Sequence, residues 1–193
     1  MRIVLAGFMG TGKTVVGKRL ATRLGRPLLD TDALIEQAEN RSVREIFAAD
    51  GEPRFRELER AAVREACAAG DVVVSTGGGT LVDDRNLDAL ADGGLLVCLT
   101  ASPRTIARRV RSSVAERPLL NGHPSLSGRI RELLDARAPV YSRVPVQIDT
   151  SHLTIDEVVD EIVARLEQAE ARGGAASGAH AAGVRQDTGC GRA

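Results

Sequence analysis

The chain has 193 residues, of which 43% are hydrophobic, and its charged side chains cancel to zero at pH 7. That is enough apolar material for one well-buried domain, and it gives no electrostatic reason to expect nucleic acid or a membrane surface as partner. Aromatics make up 2% of the chain with no Trp, which removes the usual platform for stacking bases, and no apolar run reaches the ~20 residues of a membrane span.

Apolar and helical periods alternate along the chain, beginning with an expected strand at 2–6, too close to the N-terminus to leave room for a targeting segment. A helix over 13–24 and a short strand over 27–29 come next, then helices near 32–38 and 43–49 and a longer one over 52–68. Further on the pattern predicts a strand at 71–75, a helix at 83–91, a strand at 94–99 and a helix at 103–112. A polar stretch at 113–124 precedes a helix near 126–137, a strand at 145–149 and a last helix at 155–170. Alternation of this kind implies a parallel sheet covered on both faces, and the continuous apolar runs Val72-Val73-Val74 and Leu95 to Leu99 suit strands buried on both sides. Ser42-x-x-Glu45 and Thr154-x-x-Glu157 read as capping boxes, and Ser102-Pro103 as an N-cap followed by proline in the first turn. The domain is expected to span 1–172; residues 173–193, rich in Gly and Ala with no apolar period, read as a disordered tail. Cys67, Cys98 and Cys190 lack metal-type spacing and read as reduced, structural thiols. The expectation is a cytoplasmic monomer acting on small molecules.

Directly after the first strand, Gly7 to Thr14 read Gly-Phe-Met-Gly-Thr-Gly-Lys-Thr, a Gly-x-x-x-x-Gly-Lys-Thr loop that opens the first helix. At this composition a chance match is expected about 0.002 times per chain, before the flanking strand and helix are required. Glycines let backbone N–H groups crowd an anion while the helix N-terminus points at it, so Gly10, Thr11, Gly12, Lys13, Thr14 and Val15 form the expected ATP phosphate site. Lys13 should bridge the terminal phosphates and Thr14 should meet Mg²⁺. Lysine occurs only at 13 and 18, so the chain has no guanine-reading Asn/Thr-Lys-x-Asp segment and is not a GTPase.

The second strand ends in Asp30-Thr31-Asp32. Two carboxylates at this place can supply a Mg²⁺ partner, Asp30, directly or through water, and a group that takes the proton of an attacking hydroxyl, Asp32. Equally, Asp32 could simply cap the next helix.

Around these motifs stand Arg41 to Phe47, Gly51-Glu52, Phe55-Arg56-Glu57-Leu58-Glu59, Ser75-Thr76-Gly77-Gly78-Gly79, Arg117-Pro118-Leu119 and Arg137-Ala138-Pro139-Val140-Tyr141. Their order and identity closely resemble the shikimate kinase family over about residues 2–168. The resemblance implies a P-loop kinase fold of the nucleoside-monophosphate-kinase type, with a five-stranded parallel sheet, flanking helices and a mobile lid. It also implies ATP-dependent phosphorylation of the 3-hydroxyl of shikimate, in the route to aromatic amino acids. Arg56 and Arg137 then look like a clamp on the acceptor carboxylate, oriented by Glu59, although Arg56 and Glu59 also fit a surface i, i+3 pair. Gly77, Gly78 and Gly79 let backbone approach the acceptor, or are a flexible turn. Helices over about 32–61 hold the acceptor and 112–124 forms the lid, which carries Arg117 to the transferring phosphate as a catalytic and ATP-binding group. Arg109 either flanks adenine or joins Arg104, Arg108 and Arg111 in a solvated basic face. His123 reads as a loop residue, and no side chain near Asp149 to His152 can be assigned to the base.

Overall fold

Strands that are apolar on both faces need cover on both, and the computed structural model shows how this chain supplies it. It describes residues 1–116, 118–120 and 123–181, without the side chains of 115, 116, 118 and 173–181. The elements in order are β1 (Arg2–Ala6), α1 (Lys13–Leu24), β2 (Leu28–Asp30), α2 (Thr31–Glu39), α3 (Val43–Ala68), β3 (Val73–Ser75), α4 (Asp84–Ala91) and β4 (Gly94–Thr100). They continue with α5 (Pro103–Val110), α6 (Leu126–Tyr141), β5 (Val146–Asp149) and α7 (Ile155–Ala181). Short 3-10 turns lie at Thr80–Val82, Arg111–Glu116 and Pro118–Leu120.

All strand pairs are parallel, in the order β2-β3-β1-β4-β5, with Ile3 of β1 opposite both Val73 and Leu95. Side chains alternate across the sheet. Val4, Ala6, Val74, Leu96 and Cys98 pack with Val63, Leu90, Ile106 and Ile130 on one face, while Ile3, Leu5, Val73, Val97 and Leu99 pack with Leu20, Val159 and Ile162 on the other. A third, smaller core of Ile35, Ile46, Phe55 and Ala62 joins α2 to α3. The two helices expected at 43–49 and 52–68 meet in α3 without a loop between them, at a break where Gly51 has φ 78 and ψ 176.

Several boundaries differ from the pattern-based expectation. α6 runs to Tyr141 rather than 137, continuing through Pro139 although proline has no N–H to donate to the Asp135 carbonyl. α7 runs to Ala181 rather than 170, into the segment expected to be disordered. Residues 182–193 of that segment lie outside the described residues. The stretch 112–124 is not polar throughout: Leu120 is 2% exposed in the main core, and Arg129 Nε donates to the Leu119 carbonyl at 3.0 Å. Arg117, expected in the lid, lies outside the described residues.

Candidate active site

In a parallel sheet the carboxyl ends of the strands share one edge, and the connections that leave it form the ligand crevice. Here those connections follow β1, β2 and β3. The loop after β1 turns into α1 at Gly12, whose φ of 102 is left-handed, and the helix ladder starts with Val16 N–H donating to the Gly12 carbonyl. Gly7, with φ 126, lies so close to β4 that a Cβ there would stand 2.1 Å from the Leu99 carbonyl oxygen. Lys13 is buried, and its Nζ donates to the Gly7 and Phe8 carbonyls at 2.8 and 3.0 Å. The ammonium is thus held under the loop, at the concave face where an anion would enter.

Thr14 Oγ1 donates to Asp30 Oδ2 at 3.2 Å, so β2 brings a carboxylate beside the first turn of α1. The hydroxyl and carboxylate are hard oxygen donors of the kind Mg²⁺ accepts when phosphates and water complete its shell. Asp30 is also the N-cap of α2, accepting from Asp32 N–H at 3.1 Å. The cap is therefore Asp30, and Asp32 is left with its carboxylate aimed into the crevice. Asp32 Oδ1 is buried without a hydrogen-bond partner among the described residues. Burial, with smaller contributions from the Asp30, Glu59 and Glu36 carboxylates, pushes its pKa up to about 6, and the Lys13 charge opposes the shift.

Two cavities meet at this carboxylate. The first, about 620 Å³, is lined by Gly10, Thr11, Gly12, Lys13, Thr14, Val15, Asp30, Asp32, Gly78 and Arg109, with Thr150, Leu153, Ile155 and Val158 at its far end. The second, about 320 Å³, is lined by Asp32, Glu36, Phe47, Arg56, Glu59, Gly77, Gly78, Gly79, Leu119 and Arg137. Asp32, Glu36, Met9 and Gly78 belong to both walls.

Two guanidinium groups line the second cavity. Arg56 NH1 donates to Glu59 Oε2 at 2.7 Å, and Glu59 is only 1% exposed, so the pair is no surface i, i+3 contact. Arg56 NH2 also meets Glu52 Oε1 at 2.8 Å. Arg137 is buried, donates through NH1 to the Gly78 carbonyl at 2.8 Å and lies 5.3 Å from the centre of the Phe8 ring. Absent side chains make room for both guanidinium groups: a Cβ on Gly79 would come within 2.9 Å of Arg56 NH2 and 3.4 Å of Arg137 NH2. The triple glycine is also pinned, with Gly77 N–H donating to Thr31 Oγ1 at 3.0 Å and Tyr141 OH to the Gly78 carbonyl at 2.6 Å. Burial pushes the Tyr141 phenol up to about 12, which keeps it a donor.

Arg109 ties the far end of the first cavity to the phosphate loop. Its guanidinium donates to the Gly10 carbonyl at 3.2 Å, to Thr150 Oγ1 at 2.9 Å and to the Thr150 carbonyl at 2.7 Å. Sequence reasoning found Arg109 and the segment from Asp149 to His152 without choosing Thr150 within it, and it missed Leu153, Ile155 and Val158, ordinary residues after β5 and in α7 that acquire a shared wall only when α7 packs on α1. Glu36 and Tyr141 were also missed, although both lie inside quoted or neighbouring motifs at helical spacing.

The family model described as "Shikimate kinase" matches residues 9–167. The chain is 44% identical over 175 residues to the shikimate kinase of Symbiobacterium thermophilum, covering 90% of this chain and all of that one. It is also 44% identical over 161 residues to that of Pelotomaculum thermopropionicum, covering 83% of this chain and 92% of the other. The fold superimposes with a TM-score of 0.82 on the shikimate kinase of Acinetobacter baumannii solved in complex with shikimate, at 32% identity over 86% of this chain and 93% of that one. Taken with a phosphate loop and a two-arginine cavity that meet at one buried carboxylate, these likenesses place the chain in the shikimate kinase family.

Proposed function

We propose that the protein transfers the γ-phosphoryl group of ATP to the 3-hydroxyl of shikimate, giving 3-phosphoshikimate and ADP. The observation that carries the reading is the position of Asp32, a buried carboxylate oxygen without a partner at the junction of the two cavities. One cavity accounts for a nucleotide: backbone N–H groups and Lys13 receive the phosphates, and Leu153, Ile155 and Val158 offer the apolar surface that a base needs where aromatics are lacking. The other accounts for a small ring with one carboxylate and several hydroxyls. Arg56 and Arg137 bind the carboxylate, Glu59 holds Arg56 in place, and the backbone of Gly77 to Gly79 closes against the ring.

Asp32 then accepts the hydrogen bond of the attacking hydroxyl and takes its proton as the oxygen–phosphorus bond forms. Positioning is its larger contribution, because a loose phosphoryl-transfer transition state removes little of that proton early. Lys13 leaves the Gly7 and Phe8 carbonyls for the phosphate oxygens and stabilises the charge that develops on them. Mg²⁺ would be held by Thr14 and Asp30 and would neutralise phosphate charge. Arg117 is assigned to the transferring phosphate, with 112–124 as the closing lid that keeps water from competing with the hydroxyl. We read the protein as a cytoplasmic monomer; among the described residues no helix is long and apolar enough to cross a membrane.

The test is ADP release from MgATP with shikimate, quinate, gluconate or AMP as acceptor, with Asp32→Asn as control. Turnover with shikimate that is lost in the variant is the expected result. Turnover only with another acceptor overturns the substrate, and binding of ATP and shikimate without turnover overturns the enzyme reading.

A further inference from the structure

One buried hydroxyl near the acceptor cavity belongs to none of the roles above. Thr80 is fully buried in the turn that follows the triple glycine, and its Oγ1 stands 2.7 Å from Glu59 Oε1 and 3.1 Å from the Gly77 carbonyl. A hydroxyl has one proton to donate, and the shorter contact to the charged acceptor takes it. Glu59 itself is buried, with Arg56 NH1 donating to Oε2 and Thr80 Oγ1 donating to Oε1. The main chain of Thr80 is fixed from the other side, where Asn86 Nδ2 donates to its carbonyl at 3.1 Å. A line of short hydrogen bonds thus runs from α4 through Thr80 to Glu59 and on to Arg56.

We infer that Thr80 is a positioning residue for the acceptor: its hydroxyl fixes the Glu59 carboxylate and through it the Arg56 guanidinium, and so sets affinity for the carboxylate of the acceptor. This rests on the proposed function, since it takes Arg56 as the acceptor clamp. Without the hydroxyl, Glu59 keeps one lone-pair direction unsatisfied in a buried place and turns toward another donor, carrying Arg56 with it. The crowding is tight enough for such a turn to matter, because a Cβ on Gly77 would lie 3.1 Å from Thr80 Oγ1, 3.2 Å from Glu59 Oε1 and 2.7 Å from Asp32 Oδ1.

The experiment is steady-state kinetics of the full chain with Thr80→Val, which keeps the shape and removes the hydroxyl, and with Thr80→Ser, which keeps it. Thr80→Val is expected to raise KM for shikimate about tenfold or more, the loss of a hydrogen bond to a charged group, while kcat changes by less than about threefold. KM for ATP should stay unchanged, and Thr80→Ser should restore the acceptor KM. In an Arg56→Lys background the further effect of Thr80→Val should fall below about twofold, since both changes act on one line of contacts. Thr80→Ala is the second variant if the valine chain does not fold. Equal changes in both KM values, no rescue by serine, or full additivity with Arg56→Lys would show a general structural role and overturn the inference alone. Failure of the unmodified protein to turn over shikimate would overturn the proposed function, and this inference with it.

Discussion

At the scale of single residues, Asp32 carries an opposition between stability and activity. Its pKa near 6 means that the native state holds the proton more tightly than the unfolded chain, whose carboxylate titrates near 4. The stability this contributes is fully present below about pH 4 and is lost as pH rises through about 6, so at pH 8 the ionised carboxylate costs about 3 kcal/mol. Asp32→Asn should therefore raise Tm by about 6–12 °C at pH 8, with a smaller gain at pH 5, in thermal unfolding followed by circular dichroism. The same substitution should lower kcat by about a hundredfold or more. In the unmodified protein kcat/KM should fall on the acid side with a midpoint near pH 6, because the protonated form can no longer accept from the attacking hydroxyl. A flat profile from pH 5 to 8 would show that another group takes that role. Arg56→Ala should raise KM for shikimate by about a hundredfold while KM for ATP stays within about twofold, because the lost hydrogen bonds are charge-assisted and confined to one cavity.

At the scale of elements, the turn after β3 shows why side chains are absent as well as present. Gly79→Ala needs no unusual backbone, since Gly79 has φ −116, but its Cβ would press on both arginines of the clamp. It should raise KM for shikimate about tenfold with little change in KM for ATP, measured by initial rates at saturating cosubstrate; equal loss for both substrates would mean that the whole crevice has shifted. Tyr141 shows the opposite case. It reaches the Gly78 carbonyl because α6 continues through Pro139, which local propensity argues against and packing against the main core permits. Elements that were legible had strong local signals: the Ser42 and Glu45 capping box forms as read, with Ser42 N–H donating to Glu45 Oε2 at 2.7 Å and Glu45 N–H to Ser42 Oγ at 3.2 Å. The ends of α6 and α7 were misjudged because each helix runs past a local stop signal, Pro139 in α6 and Gly173-Gly174 in α7.

At the scale of the whole molecule, α1 and α7 close one face of the sheet and contribute to the first cavity, while α2 and α3 share a small core of their own and, with Arg137 of α6, line the second. Among the described residues the last buried core side chain is Leu166, ahead of the Gly/Ala-rich end. A chain ending after Arg172 should therefore keep kcat and both KM values within about twofold and lose no more than a few degrees in Tm. A tenfold loss would assign the end of the chain a part in the site. Light scattering on both forms should give the mass of one chain, and a dimer would overturn the monomer reading.

The sequence alone settled what depends on local chemistry. The Gly-x-x-x-x-Gly-Lys-Thr loop between a strand and a helix, the apolar runs of β1, β3 and β4, and the order of the Asp, Arg and Gly motifs pointed to a parallel α/β kinase of the shikimate kinase family. Those features are written in consecutive residues, where spacing and steric preference act directly. Only the tertiary structure decided which of two carboxylates caps α2 and which faces the crevice, that Glu59 is buried and not on a surface, that Thr150 and Val158 line the first cavity, and that Thr80 and Tyr141 bond to residues lining the second. These outcomes depend on groups far apart in the chain meeting at one sheet edge, where burial and charge are set by neighbours that no local pattern records.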